Sequence, residues 1–200
     1  VKGKRAGRAA AARPARRGIL ETFVGGGGSR AAGAPPPRAR LVDLAAEWLG
    51  TVVALKRVTS MPDAGVLRTR ALELKARFEQ EARDGGFSAA DTESTVFALV
   101  AFLDETVLNT SGPARDAWVS KPLQLEIFGQ NVAGEEFFDR LDRLRREREA
   151  RIEALEAYYC CLAFGFAGKF RLASPERIQA LLAEVERDVA AVRGTSKRSL

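Results

Sequence analysis

The 200-residue sequence has no histidine and only two cysteines, the adjacent pair Cys160 and Cys161. Without imidazole, the most common general base and the most common metal ligand are both missing. Neighbouring cysteines make neither a disulfide framework nor a CxxC knuckle, so structural zinc and histidine-based catalysis drop out. The pair suits a reducing compartment, as small apolar residues inside a helix. No run of 18 or more apolar residues exists, so no segment spans a membrane. The N-terminus is basic but lacks the apolar core and cleavage site of a secretory signal. No P-loop, GxGxxG fingerprint, nucleophile elbow or internal repeat is present. Nor is there sustained period-2 alternation or an Asn-Gly hairpin, so strands are not expected. No cofactor, no metal and no catalytic residue are expected.

What is present divides in two. Residues 1–40 hold ten Lys and Arg against Glu21 alone, a net of +9. The overall charge is +6, so the other 160 residues carry −3. The basic character therefore belongs to one arm, rich in Arg, Ala, Gly and Pro, with few bulky apolar residues to offset its ordering entropy. It is expected to be disordered. It reads as a linker or a contact for anionic lipid head groups. It lacks the aromatics that base-stacking single-strand binders interleave with their arginines, so no specific nucleic acid is expected. A nucleic-acid-binding regulator acting through this arm is nevertheless the alternative from another functional class.

From Leu41 onward the apolar period is helical and predicts an all-α bundle of about six to eight helices over residues 41–192, with a polar tail at 193–200. The central stretch is residues 96–110, VFALVAFLDETVLNT. Its eight consecutive apolar residues predict a helix buried on most sides. Asp104 lies beside the main stripe and should be half buried, as an ion pair, as a helix cap or on the rim of a groove. Glu105 points away and should be exposed. Adjacent helical residues diverge by about 100°, which argues against the two acids serving one substrate.

Around this helix the signals are local. Leu41, Leu44, Trp48, Val52 and Leu55 predict a first helix reaching Ser60. Asp63 caps a second, with exposed Glu73–Arg77 and Glu79–Arg83 pairs expected. Ser88 and Asp91 form a capping-box pattern opening the central helix. Trp118 lies in a short helical piece, and residues 123–128 are a single turn or an irregular loop. Gly134 precedes Glu135 and Glu136 at a helix start, with Phe137, Phe138, Leu141 and Leu144 on its apolar face. The next helix, from Arg151 to Phe166, has Tyr159 on its inner stripe and Tyr158 beside it, and a tyrosine hydroxyl could reach Asp104. Ser174 and Pro175 start the last helix, and Gly194 ends it.

Three strings occur in order: LDETVLNT (103–110), followed by Trp118; PLQLEIFGQNVAGEEFF (122–138); and EAYYCCLAFGFAGKFRL (156–172). Together they resemble the DotU/TssL family, the inner-membrane component of type VI secretion systems, with a relative in type IVB systems. GEEFF and GFAGKF favour type VI. The resemblance covers about residues 41–192. It implies a cytoplasmic domain of two small helical bundles, hook-like, with a groove. It also implies a scaffold rather than an enzyme, with an IcmF/TssM-type membrane protein and a TssK-type baseplate component as partners, and it leaves a homodimer open. An anchor helix is implied beyond Leu200, with Lys197 and Arg198 at a cytoplasmic juxtamembrane position.

Carried onto this sequence, the motifs place Asp104, Glu105, Glu135, Glu136 and Lys169 as groove-rim contacts. Asn109, Trp118, Gly134, Phe137, Phe138, Tyr158, Tyr159, Gly165 and Gly168 are the structural positions. Ala167 departs from the Glu or Gln that many relatives carry between the two glycines. The expected mode is an acidic groove receiving a basic patch, with charge reversal at Glu105 weakening capture but not melting temperature.

Overall fold

In the computed structural model, residues 39–130, 132–171 and 175–196 are described. The basic arm up to residue 38, the expected cap Ser174 and the last four residues lie outside them. The described residues form α-helices and one 3-10 turn, with no strand among them.

The first expected helix is two pieces, α1 (Leu41–Leu44) and α2 (Ala46–Leu55), with a break at Ala45. α3 (Ala64–Asp84) starts on Asp63, whose carboxylate accepts the Gly65 and Val66 N–H groups at 2.8 and 3.1 Å. α4 (Ala89–Leu108) starts on Ser88, whose hydroxyl oxygen accepts the Asp91 N–H at 3.0 Å. Then follow α5 (Pro113–Ser120), α6 (Leu123–Phe128), α7 (Ala133–Arg146), α8 (Ile152–Ala163), a 3-10 turn (Gly168–Phe170) and α9 (Pro175–Ser196). Residues 123–128 are therefore helical, not an irregular loop. α9 continues past Gly194, so 193–196 belong to the helix and not to a polar tail.

α4 is the axis. From Val96 to Leu103 every residue is buried, and α2, α3, α5, α6, α7 and α8 all pack against it. Each large apolar side chain taken from water there contributes about 1.5–3 kcal/mol, so a helix with apolar groups on most of its circumference is most stable at the centre. α9 differs: it rests on α8, and Val185 is its one fully buried side chain among the described ones. Gly50 sits in the middle of α2, where glycine costs about 1 kcal/mol relative to alanine. A Cβ built there meets nothing within 4 Å.

Two expectations about side chains are corrected. Tyr158 is fully buried and Tyr159 only partly, because α8 turns Ala154, Leu155, Tyr158 and Cys161 toward α4 and α7. The pairs foreseen on α3 do not form. Arg77 reaches across to Glu47 on α2, Glu79 takes Lys75, and Arg83 donates to Gln80. Long side chains on an exposed face choose among several partners of similar energy, including partners on another helix.

Candidate functional site

The site grows from the two acids of α4. Asp104 is 1 % exposed, not half buried. Its Oδ1 accepts the indole N–H of Trp118 at 2.7 Å and the Leu123 N–H at 2.9 Å, and its Oδ2 accepts the Gln124 N–H at 2.9 Å. The carboxylate thus caps the first turn of α6 and holds α5 through Trp118, whose ring is covered by the Arg68 guanidinium. Gln124 extends the chain of bonds by accepting the Ala133 N–H at 2.7 Å at the start of α7. Burial pushes the Asp104 carboxyl up from its ordinary value, and the three N–H donors pull against that. The tyrosine expected at Asp104 is absent from it. The Tyr158 hydroxyl has no hydrogen-bond partner among the described residues, and burial pushes its pKa upward. Asp104 offers no surface to a partner, so it is a cap and not a rim contact.

Glu105 is half buried rather than exposed, and it turns to the other side of α4. Its two oxygens accept the Ala167 and Gly168 N–H groups at 3.0 and 2.5 Å. That turn is shaped by its neighbours. Phe166, 1 % exposed, lies 6.4, 4.2 and 6.0 Å, centroid to centroid, from the rings of Phe102, Phe137 and Phe138. Gly168 has φ +46°, and a Cβ there would come within 2.7 Å of the Gly134 carbonyl oxygen. Gly165 has φ +95°, and a Cβ there would strike the Lys56 ammonium at 2.6 Å. Both positions favour glycine for conformation, and Gly168 requires it for space as well, because its obstacle is backbone whereas the Lys56 side chain can move aside. The three sequence strings meet here, α4 through Glu105, α7 through Gly134, Phe137 and Phe138, and the 165–168 turn through its own backbone.

Beside Glu105 is a hollow of about 430 Å³, where α2, α4 and α8 all end. Leu55, Lys56, Val58, Asn109, Thr110 and Arg171 are among its lining residues. The Lys56 ammonium donates to the Phe164 and Gly165 carbonyls at 2.7 and 3.3 Å, capping the end of α8. Arg171 is exposed and has no ion pair among the described residues. The hollow is thus of mixed charge. Two cations face one carboxylate whose oxygens are both engaged, and the three helix ends add partial negative charge.

The other rim candidates do not converge on this hollow. Glu135 is exposed at the start of α7. Glu136 pairs with Arg140 and Arg143 at 3.0 and 2.8 Å beside a different hollow of about 290 Å³. Lys169 lies over the Phe138 and Phe170 rings, 3.7 Å from Asp139. Asn109, at the end of α4, is exposed and does line the Glu105 hollow. Sequence reasoning missed Lys56 and Gln124. Neither lies in a motif with a fixed offset to its partner, and the only signal was a polar residue set among apolar ones.

Burial pushes both thiols, Cys160 and Cys161, above their ordinary value, opposite to what an activated nucleophile needs. No described helix is long and apolar enough to cross a membrane.

No curated protein matches the sequence. The family model of the type VI secretion system protein DotU matches residues 40–200. The cytoplasmic domain of TssL from Acinetobacter baumannii superposes with a TM-score of 0.73 at 33 % identity, covering 77 % of this chain and 99 % of that one. SciP/TssL from enteroaggregative Escherichia coli superposes at 0.63 with 28 % identity, over 76 % and 86 % of the two chains. TssL from Vibrio cholerae, at 24 % identity, shares the fold, with a TM-score of 0.67 over 76 % and 96 %. With a match that long and with the LDET, GEEFF and GFAGKF strings joined in space around Glu105, the chain belongs to the type VI secretion system DotU family.

Proposed function

We propose that this chain is a non-enzymatic scaffold of a type VI secretion membrane complex. At the cytoplasmic face of the inner membrane it binds an IcmF/TssM-type protein and docks the baseplate through a TssK-type component. The observation that carries the reading is the hollow beside Glu105, a concavity lined by the first and third family strings and by the end of α2, with Val58 and Arg171 on its edge not spent on holding the fold. The chemistry of the two acids agrees with this: all four of their oxygens are engaged by N–H groups of the chain itself, which leaves no free base for turnover.

Because Glu105 holds the 165–168 turn, reversing its charge disturbs folding and binding together and is a poor probe. Val58, 45 % exposed, and Arg171 stand on the rim without that duty. Val58→Glu and Arg171→Glu should each reduce co-purification of the IcmF/TssM-type or TssK-type partner by tenfold or more, about 1.4 kcal/mol, with an unchanged melting temperature. Wild-type capture by both variants would remove the hollow from the interface.

A further inference from the structure

α9 is held unlike the other long helices. It is 22 residues long, yet Val185 is its one fully buried side chain among the described ones. Ile178, Leu181, Leu182 and Val189 are only half covered where they meet the core. Charges stand on either side of that apolar stripe. On one edge Asp188 takes Arg145 at 2.7 Å and Arg148 at 3.5 Å, and Glu184 takes Arg145 at 3.0 Å. On the other edge Arg193 donates to Glu156 at 2.6 and 2.8 Å and to Glu153 at 2.9 Å. Asp188 and Arg193 diverge by about 140° around the helix axis, with Val185 and Val189 between them. Two ionic clasps therefore grip opposite edges of one face. The second clasp is shared with the start of the bundle. Glu153 also accepts the Leu41 N–H at 2.7 Å, and Glu156 lies 3.6 Å from the Arg40 guanidinium.

We propose that α9 is a strap: it lifts from α8 as a unit while the bundle around α4 stays folded, and through Glu153 and Glu156 its release is coupled to the start of α1. Local opening of this kind belongs to elements that bury few apolar side chains. The charges favour opening whole over opening piecemeal. The Glu156 side chain is 7 % exposed, so parting it from Arg193 inside a closed structure leaves a carboxylate in the interior, which is costly. When α9 lifts as one piece, water reaches Glu153 and Glu156 and takes the place of Arg193. The same event loosens the acceptor of the Leu41 N–H. A link between two places in a protein needs an element with two states that both places bias. α9 closed and α9 open are those states, and the shared carboxylates join residue 41 to residue 193. Closed, α9 sets Val189 at the margin of a groove of about 580 Å³ lined also by Leu49, Val53, Tyr159 and Phe164. Open, it uncovers that margin and its own apolar stripe, so whatever acts on either end of the folded part sets how much apolar surface α8 shows.

The inference goes beyond the scaffold reading and does not depend on it. Amide hydrogen exchange of the full chain, followed residue by residue by NMR, is the test. In the wild type the amides of residues 179–193 should exchange as one set, about tenfold or more faster than those of residues 96–103, which open only with global unfolding. Raising the salt to about 0.5 M should speed the first set and not the second. Arg193→Gln should speed α9 by a further factor of about ten. Asp188→Asn should speed it about fivefold, and it is the cleaner probe of the link because Asp188 touches neither Glu153 nor Glu156. In both variants the Leu41 amide should quicken along with α9, while residues 96–103 keep their wild-type rates. If α9 exchanges only as slowly as α4, or if both variants leave it at the wild-type rate, there is no strap. If Asp188→Asn quickens α9 and leaves Leu41 unmoved, the coupling to α1 is overturned. Neither substitution touches the lining of the Glu105 hollow, so partner capture and strap opening can fail separately.

Discussion

Asp104 and Glu105 are neighbours of like charge, and one turn of α4 sends them into opposite surroundings. Asp104 enters the core and accepts three hydrogen bonds from α5 and α6, while Glu105 stays half in water and accepts two from the 165–168 turn. Both carboxylates do the same chemical task, satisfying backbone N–H groups at the start of a helical segment, so the residue type does not distinguish them. What differs is how much water could replace each one. Around Asp104 a lost acceptor leaves donors stranded in the interior. Around Glu105 solvent can reach the freed N–H groups from the hollow.

The difference can be broken from either side. Asp104→Ala strands the Trp118 indole and two amide N–H groups, and should cost about 3–5 kcal/mol of unfolding free energy. At the margins typical of small domains, the variant should populate unfolded protein measurably in urea titration at room temperature. Glu105→Ala frees two partly hydrated N–H groups and should cost about 1–3 kcal/mol. The same titration should therefore rank the two substitutions clearly, and equal costs would show that the hollow is drier than its geometry implies. Trp118→Phe keeps most of the ring volume but leaves Asp104 one donor short. It should fall between them, at about 2–3 kcal/mol.

The path from sequence to this pair is uneven for a physical reason. The helical character of α4, its central position and the caps Asp63 and Ser88 could be read, because each depends on residues within a few positions of one another. The depth of Asp104 could not be read. It is set by Trp118 and by the start of α6, 14 to 20 residues away, and the six-residue α6 is too short to show a period. Gly165 and Gly168 were visible as a chain reversal, but the need for glycine at 168 comes also from the Gly134 backbone, which is distant in sequence. The family resemblance set Glu105 and Lys169 on one expected rim and gave Gly165 and Gly168 as structural positions. The hydrogen bonds that make Glu105 a structural tie became apparent only in the fold, and so did the two cations that share the hollow with it.

The finest cut through the comparison replaces the Asp104 carboxyl by an amide. In Asp104→Asn the remaining oxygen can still accept from Trp118 and Leu123, but the amide nitrogen faces the Gln124 N–H, so about 1–2 kcal/mol should be lost near neutral pH. The gap should then depend on pH in a fixed direction. Burial holds the Asp104 carboxyl above its ordinary value of 3.8 in spite of its three donors, so the folded chain binds this proton more readily than the unfolded chain. Above the raised value both states are ionised, and the folded state carries the full cost of the buried charge. As pH falls through that value toward 3.8, the wild type gains stability that the asparagine variant, with nothing to titrate there, does not. Urea titrations of both chains at neutral pH and near pH 4 should show their difference move toward the wild type on acidification. Movement the other way would mean that the three N–H donors outweigh desolvation and that Asp104 sits in its site as a stabilised anion.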